Sequence, residues 1–322
     1  MVNEQLRLEC GLSPPGWVHL ASGWEADIYA GETNGLSLVL RLYASTPTDA
    51  IMSPDPAREF SIMKSLFRAG YPVPEVYSRG VTPPPVERPY LVMERVRGES
   101  LGRVWKHAGP GKRSSLTRWF CSLLGDLHRL PLSSAPIAAG AGGGSAGAMS
   151  ARLADFIGTV CPRVLGTFGD WLGERSVSVS DEGQSLLHWD FHPENILVQA
   201  EGVARVIDWR NAETGDPRFD VGATLVLVGD GFRQGFLKEY RAGASELRDL
   251  DFFVAVACVR RLLVITAALR YGPESIGLLP RVREYLPGIA PHVEEMGARL
   301  ETVTGLRGTG LQDLARALRD SG

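Results

Sequence analysis

The chain has 322 residues, 44% of them hydrophobic, which is enough to fill the cores of two lobes. Its formal net charge is −3 with no block of lysine or arginine, so its long-range field favours neither nucleic acid nor an anionic membrane, and no protein partner is implied. Cys10, Cys121, Cys161 and Cys258 form no C-x-x-C pair, and the amino terminus lacks a secretory pattern; reduced thiols in a cytoplasmic protein are expected, not a zinc site.

In chain order, residues 20–26 read as a loop carrying one glycine, Gly23. Residues 27–31 and 36–43 read as strands joined by Asn34-Gly35, a strong hairpin signal because both positions tolerate positive φ. Residues 56–69 have helical spacing, with Phe60, Met63 and Phe67 on one face and Gly70 as the stop. Residues 71–76 form a proline-bearing extended connector, and residues 90–95 an apolar strand running to a turn at Arg97-Gly98. Beyond Glu99 the pattern is mainly helical, with segments at 116–130, 225–240, 250–269 and 311–318. The Gly/Ala/Ser run at 137–148 reads as a flexible loop between two helices. Residues 252–269 are strongly apolar, yet Arg260 and Arg261 sit at their centre, which suits a core helix better than a membrane span.

Chemistry concentrates in His188-Trp189-Asp190-Phe191-His192-Pro193-Glu194-Asn195-Ile196-Leu197 and, after a short hairpin around Glu201-Gly202, in Val206-Ile207-Asp208-Trp209. Phosphoryl transfer needs one group to orient the attacking hydroxyl and oxygen ligands for Mg²⁺ on the nucleotide phosphates. Asp190 fits the first role; Asn195 and Asp208 fit the second. Taken singly, Asp190 is also a turn-capping carboxylate, Asn195 a turn residue and Asp208 a strand-end cap. His188 reads as a structural residue holding the loop, and His192 is not assigned as a base. Leu197 and Ile207 suit an adenine floor, though core packing explains them equally well.

The H-x-D-F-H-P-x-N-I-L stretch at 188–197, V-I-D-W at 206–209 and G-D-P-x-x-D from Gly215 to Asp220 resemble the aminoglycoside phosphotransferase family of protein-kinase-like small-molecule kinases. The resemblance covers most of the chain and weakens after about Gly222. It implies an α+β, two-lobe fold: a small β-rich nucleotide-binding lobe over residues 1–95 and a larger, mainly helical lobe over 96–322 holding the catalytic loop and acceptor pocket. It places residues 20–26 over the nucleotide phosphates, Arg41 where protein kinases carry a lysine, and Glu59 as its helix partner. A guanidinium can grip phosphate oxygens as a fork. An exposed surface pair is the plain alternative for these two. The hinge would be Met93-Glu94-Arg95-Val96, with the Glu94 carbonyl and the Val96 N–H meeting the adenine edge, and Asp220 would brace the catalytic loop.

The implied activity is ATP- and Mg²⁺-dependent transfer to a hydroxyl of a small molecule, an aminoglycoside-like or macrolide antibiotic among the options. A metabolic kinase acting on choline, homoserine or a sugar-amine, and a nucleotide-binding pseudokinase, stay open as alternatives. His192-Pro193 in the loop, Trp209 after Asp208, and only eleven residues between Asp208 and Asp220 argue against a protein kinase. The acceptor is expected around residues 151–174 and 252–271, where Asp155, Asp170 and Glu174 would receive a polycation or simply form a solvated face.

Overall fold

The computed structural model describes residues 16–52, 54–82, 87–134, 144–180, 182–199, 202–243, 247–307 and 309–321. Cys10, the 137–143 part of the glycine-rich run and Glu201 lie outside them; the described cysteines are free.

The amino-terminal part is a five-stranded antiparallel sheet in the order β1-β2-β3-β5-β4, built from β1 (Val18–Ser22), β2 (Ala26–Thr33), β3 (Leu36–Tyr43), β4 (Val76–Val81) and β5 (Pro89–Glu94). The β2–β3 connection is the two-residue turn expected, with Asn34 and Gly35 both at positive φ. Alternation along β3 decides what faces the cleft. Leu38, Leu40 and Leu42 pack with Trp17, Tyr90 and Val92 on the outer face, so Val39 and Arg41 face inward. Two strands were not legible. β1 occupies residues 20–22 of the expected loop, and its mostly exposed side chains give no apolar alternation to read; β4 continues from the proline connector.

Helix α1 (Pro56–Arg68) starts where Asp55 accepts a hydrogen bond from the Arg58 N–H, and is followed by Gly70 at positive φ. Its buried face is Glu59, Ile62, Met63 and Leu66, not the stripe of Phe60, Met63 and Phe67. Phe67 is exposed, and Phe60 lies partly buried beneath the cations of Lys64 and Arg79. The polar Glu59 turns inward because Arg41 and Tyr43 supply its partners.

The remainder is mainly helical. It contains β6 (Glu99–Ser100), α2 (Leu101–His107), α3 (Pro110–Arg129), α4 (Ala146–Val160), α5 (Pro162–Ser176), β7 (Ser185–Leu187), β8 (Ile196–Val198), β9 (Ala204–Val206) and β10 (Glu213–Gly215). There follow α6 (Arg218–Leu227), α7 (Asp230–Gly243), α8 (Leu250–Tyr271), α9 (Val282–Tyr285), α10 (Ala290–Thr304) and α11 (Thr309–Arg319). The single helix expected over 225–240 is two: Val228 is extended, and Arg233 donates to the carbonyls of Leu225 and Val228 that the break sets free. The carboxyl end of the glycine-rich run is ordered, with Gly144 bridged to Gly215 and Ser145 capping α4. α8 is long and apolar enough to cross a membrane, but its residues are mostly buried against α4, α5, α6 and α10, which makes it the central helix of this part.

Candidate active site

One cleft of about 1410 Å³ runs from the inner face of the sheet into the helical part. Arg41, Met93, Glu94, Val96, Asp190, Asn195, Leu197, Ile207 and Asp208 all line it. Glu59 does not; it stands buried behind Arg41.

The loop that carries Asp190 leaves β7, which pairs antiparallel with β10. Trp189 adopts positive φ, an uncommon state for a bulky residue, and Asp220 holds it there. Asp220 Oδ2 accepts from the His188 N–H at 2.9 Å and Oδ1 from the Trp189 N–H at 2.6 Å. His128 Nε2 lies 3.1 Å from Oδ2, a third partner that no sequence signal marked. His188 is fully buried: its Nδ1 accepts from the Asp190 N–H and its Nε2 faces the Ile207 carbonyl at 3.0 Å. Those partners assign the Nε2–H tautomer, and they tie the loop to the strand end that carries Asp208. His188 is therefore structural, as expected. Trp209, completely buried, donates its indole N–H to the Val206 carbonyl and packs edge-on against His188 and Tyr71.

Asp190 sits where the loop opens into the cleft. Burial works to raise its carboxyl, but His192, Arg261 and His188 override that and hold it well below the usual carboxylate range. His192 Nε2 is 3.7 Å from Asp190 Oδ2 and Arg261 is 3.6 Å from Oδ1. Asn195 donates its amide to the Asp190 carbonyl at 3.0 Å and to Oδ2 at 3.1 Å. The Ile207 N–H donates to the Asn195 carbonyl, and the β8–β9 pairing carries Asp208 to the same end of the hairpin as Asn195. Asp208, at positive φ, is about one-third exposed.

Arg41 joins the two parts of the chain. It bonds Glu59 at 2.7 Å and Asp208 at 2.9 Å, while the Tyr43 hydroxyl donates to the other Glu59 oxygen at 2.5 Å. Although burial opposes its charge, Glu59 and the other acidic neighbours raise Arg41 well above the ordinary arginine range. Above Asp208, Glu25 bonds Arg210 at 2.6 Å. Glu25, Arg210 and the apolar cleft residues Ile28 and Val39 belong to this site and carry no recognisable spacing.

Asn195 and Asp208 offer hard oxygen donors, and the described residues hold no cluster of three or more His, Cys, Asp or Glu that would bind a metal unaided. Two protein oxygens suit Mg²⁺, which takes its other ligands from phosphates and water, so the set fits a metal arriving with a nucleotide.

A model of the phosphotransferase enzyme family matches residues 16–253. The chain belongs to that family. Solved members of the same fold include an aminoglycoside phosphotransferase of Ralstonia eutropha described as putative, 16% identical, with a TM-score of 0.64 and 98% of this chain and 97% of that one covered. The GDP and kanamycin complex of APH(2")-IIIa is 18% identical, TM-score 0.63, covering 94% and 97%. A choline/ethanolamine kinase family protein of Mesorhizobium loti is 15% identical, TM-score 0.61, covering 99% and 98%. These likenesses establish the protein-kinase-like fold. Acyl-CoA dehydrogenase family member 11 of Gallus gallus is 29% identical over 177 residues, 51% of this chain but only 22% of that protein's length.

Proposed function

We propose that the protein transfers the γ-phosphate of ATP to a hydroxyl of a small molecule with Mg²⁺ as the metal. The observation that carries the reading is the convergence of Asp190, Asn195, Asp208 and Arg41 on one cleft between sheet and helices. Met93, Glu94, Val96, Leu197 and Ile207 would enclose the base, the hinge backbone meeting its edge. Arg41, braced by Glu59, would hold phosphate oxygens. Asn195 and Asp208 would hold Mg²⁺, which supplies neutralisation of the phosphate charge. Asp190, kept ionised by its neighbours, accepts the hydrogen bond of the acceptor hydroxyl and aims that oxygen at phosphorus. As the O–P bond forms, the bond from the γ-phosphorus to the β,γ-bridging oxygen breaks, ADP leaves with the electron pair, and the hydroxyl proton passes by Asp190 to solvent.

One contact favours a second reading, a nucleotide binder without turnover: Arg41 occupies an oxygen of Asp208. Calorimetry with ATP, with and without Mg²⁺, tests the first. Tight binding that needs Mg²⁺ and is weakened about tenfold or more by Asp208→Asn is expected; nucleotide binding indifferent to Mg²⁺ points to the second reading, and no binding by folded protein removes both.

A further inference from the structure

Beyond Asp190 the cleft continues between α4, α8 and α10, and the charge there is opposite to what a polycationic acceptor requires. Arg152, Arg260, Arg261 and His292 line it, with Glu213 as the facing carboxylate, already bonded by Arg152 at 2.9 Å. Asp155, Asp170 and Glu174, the acids available to a polycation in the sequence, are exposed and outside the cleft lining. Burial and then the Arg261 charge lower His292, which leaves it neutral near pH 7 and leaves the two adjacent arginines as the local field.

Arg260 lies over the Trp189 ring, 4.2 Å from its centre, and has no ion pair or hydrogen bond among the described residues. Burial lowers its charge stability, and the carboxylates that oppose this, Glu213 first, make no contact with it. The buried indole N–H of Trp189 also lacks a partner there. Partly buried cations and donors without partners are costly unless a ligand completes them. Arg261 sits beside Asp190, so an anion bound to both guanidiniums would lie within a few ångströms of the position the hydroxyl must take. Met149, Leu153, Phe156 and Val264 make the surrounding wall apolar.

We propose that the acceptor is an anionic hydroxy compound, a carboxylate or phosphate on an apolar body, held by Arg260 and Arg261 with its hydroxyl at Asp190. This rests on the kinase reading for the transfer itself, though not for the binding. When the acceptor anion takes Arg261, that arginine's hold on Asp190 is shared, and the carboxylate is freer to receive the hydroxyl. A cationic acceptor would instead place its charge against two guanidiniums, a repulsion that an apolar wall does little to screen.

The test compares a hydroxyoctanoate, its methyl ester, a hydroxyalkyl phosphate of similar length and an aminooctanol. Binding is read by thermal shift without nucleotide, and ADP release with ATP and Mg²⁺. The carboxylate or the phosphate should bind at least about tenfold more tightly than the ester, with no binding of the amine; whichever anion binds better identifies the group. Arg260→Gln should remove the anion's advantage and leave the ester's binding and ATP binding unchanged, and Arg260→Lys should restore part of it. Equal binding of anion and ester, preference for the amine, or no binding by any compound overturns the proposal. Anion-selective binding without ADP release leaves the subsite standing and counts against the kinase reading instead.

Discussion

Asp190 combines a partly buried position with the Arg261 guanidinium and the His192 ring as neighbours, and its chemistry follows from that combination. Its carboxyl titrates well below the usual range despite burial, so it remains ionised throughout pH 5–8. The acid-side limb of a kcat/KM profile should therefore not arise from Asp190, and the rate should stay level as pH falls from neutrality to about 5 on its account. Asp190→Asn should lower kcat by roughly two or more orders of magnitude with ATP affinity nearly intact, measured by steady-state ADP release and calorimetry. Full activity in that variant would assign orientation of the hydroxyl to another group. Arg41 is the second decisive residue, since it holds Glu59 and Asp208 with the two arms of one guanidinium. Arg41→Lys keeps the charge and loses the fork, so kcat/KM for ATP should fall, and further in Arg41→Ala. Glu59→Ala should act through the same unit, making the double variant less impaired than the sum of its parts. Strict additivity with unaltered ATP kinetics would make the pair purely structural.

Among the elements, the contact of α6 with α8 sets the base of the candidate site, because α6 carries Asp220 beneath the loop of Asp190 and Thr224 donates to the Phe191 carbonyl at 2.8 Å. Gly222 lets the two helices approach: a Cβ there would overlap the carbonyl and side chain of Phe253. Gly222→Ala should destabilise the protein by about 1–3 kcal/mol through overpacking, checked by denaturant melts. It should also reduce kcat, since the displaced helix moves Asp220. Unchanged stability would show that the α8 backbone yields at that point. Elements with strong local signals were legible: the Asn34-Gly35 hairpin, the core helix around Arg260 and Arg261, and the β8–β9 pair. β1 was not, because an exposed edge strand has no buried face to impose a period. The break at Val228 was missed because the residues on either side are apolar at helical spacing, and the Arg233 contacts that stabilise the break form only in the folded chain.

At the scale of the whole molecule, the sheet and the helical part are clasped along one side of the cleft. Arg281 pairs with Asp27, the Leu279 N–H donates to the Trp24 carbonyl, the Ile51 and Met52 N–H groups donate to the Ser275 carbonyl, and Arg210 bonds Glu25. Burial raises Glu25 from 4.5 to about 7, against the pull of Arg210. Between those values the folded protein holds a proton that the unfolded chain has released, so this group's contribution to stability falls as pH rises through the window. Melting curves without nucleotide should show that fall, and Glu25→Gln should flatten it; an identical pH slope in the variant would show that Glu25 is ionised throughout. The sequence by itself determined the family, the two-part α+β fold and the candidate set of Asp190, Asn195 and Asp208 that lines one cleft, because those residues lie in one short stretch whose spacing is imposed by a loop and a hairpin. Tertiary structure alone decided that Glu59 turns inward to Arg41, that His128 completes the Asp220 brace, and that Arg260 and Arg261 line the cleft beyond Asp190 while Asp155, Asp170 and Glu174 lie outside its lining. Helix packing sets those directions, and packing depends on partners far apart in the chain, which local spacing does not encode.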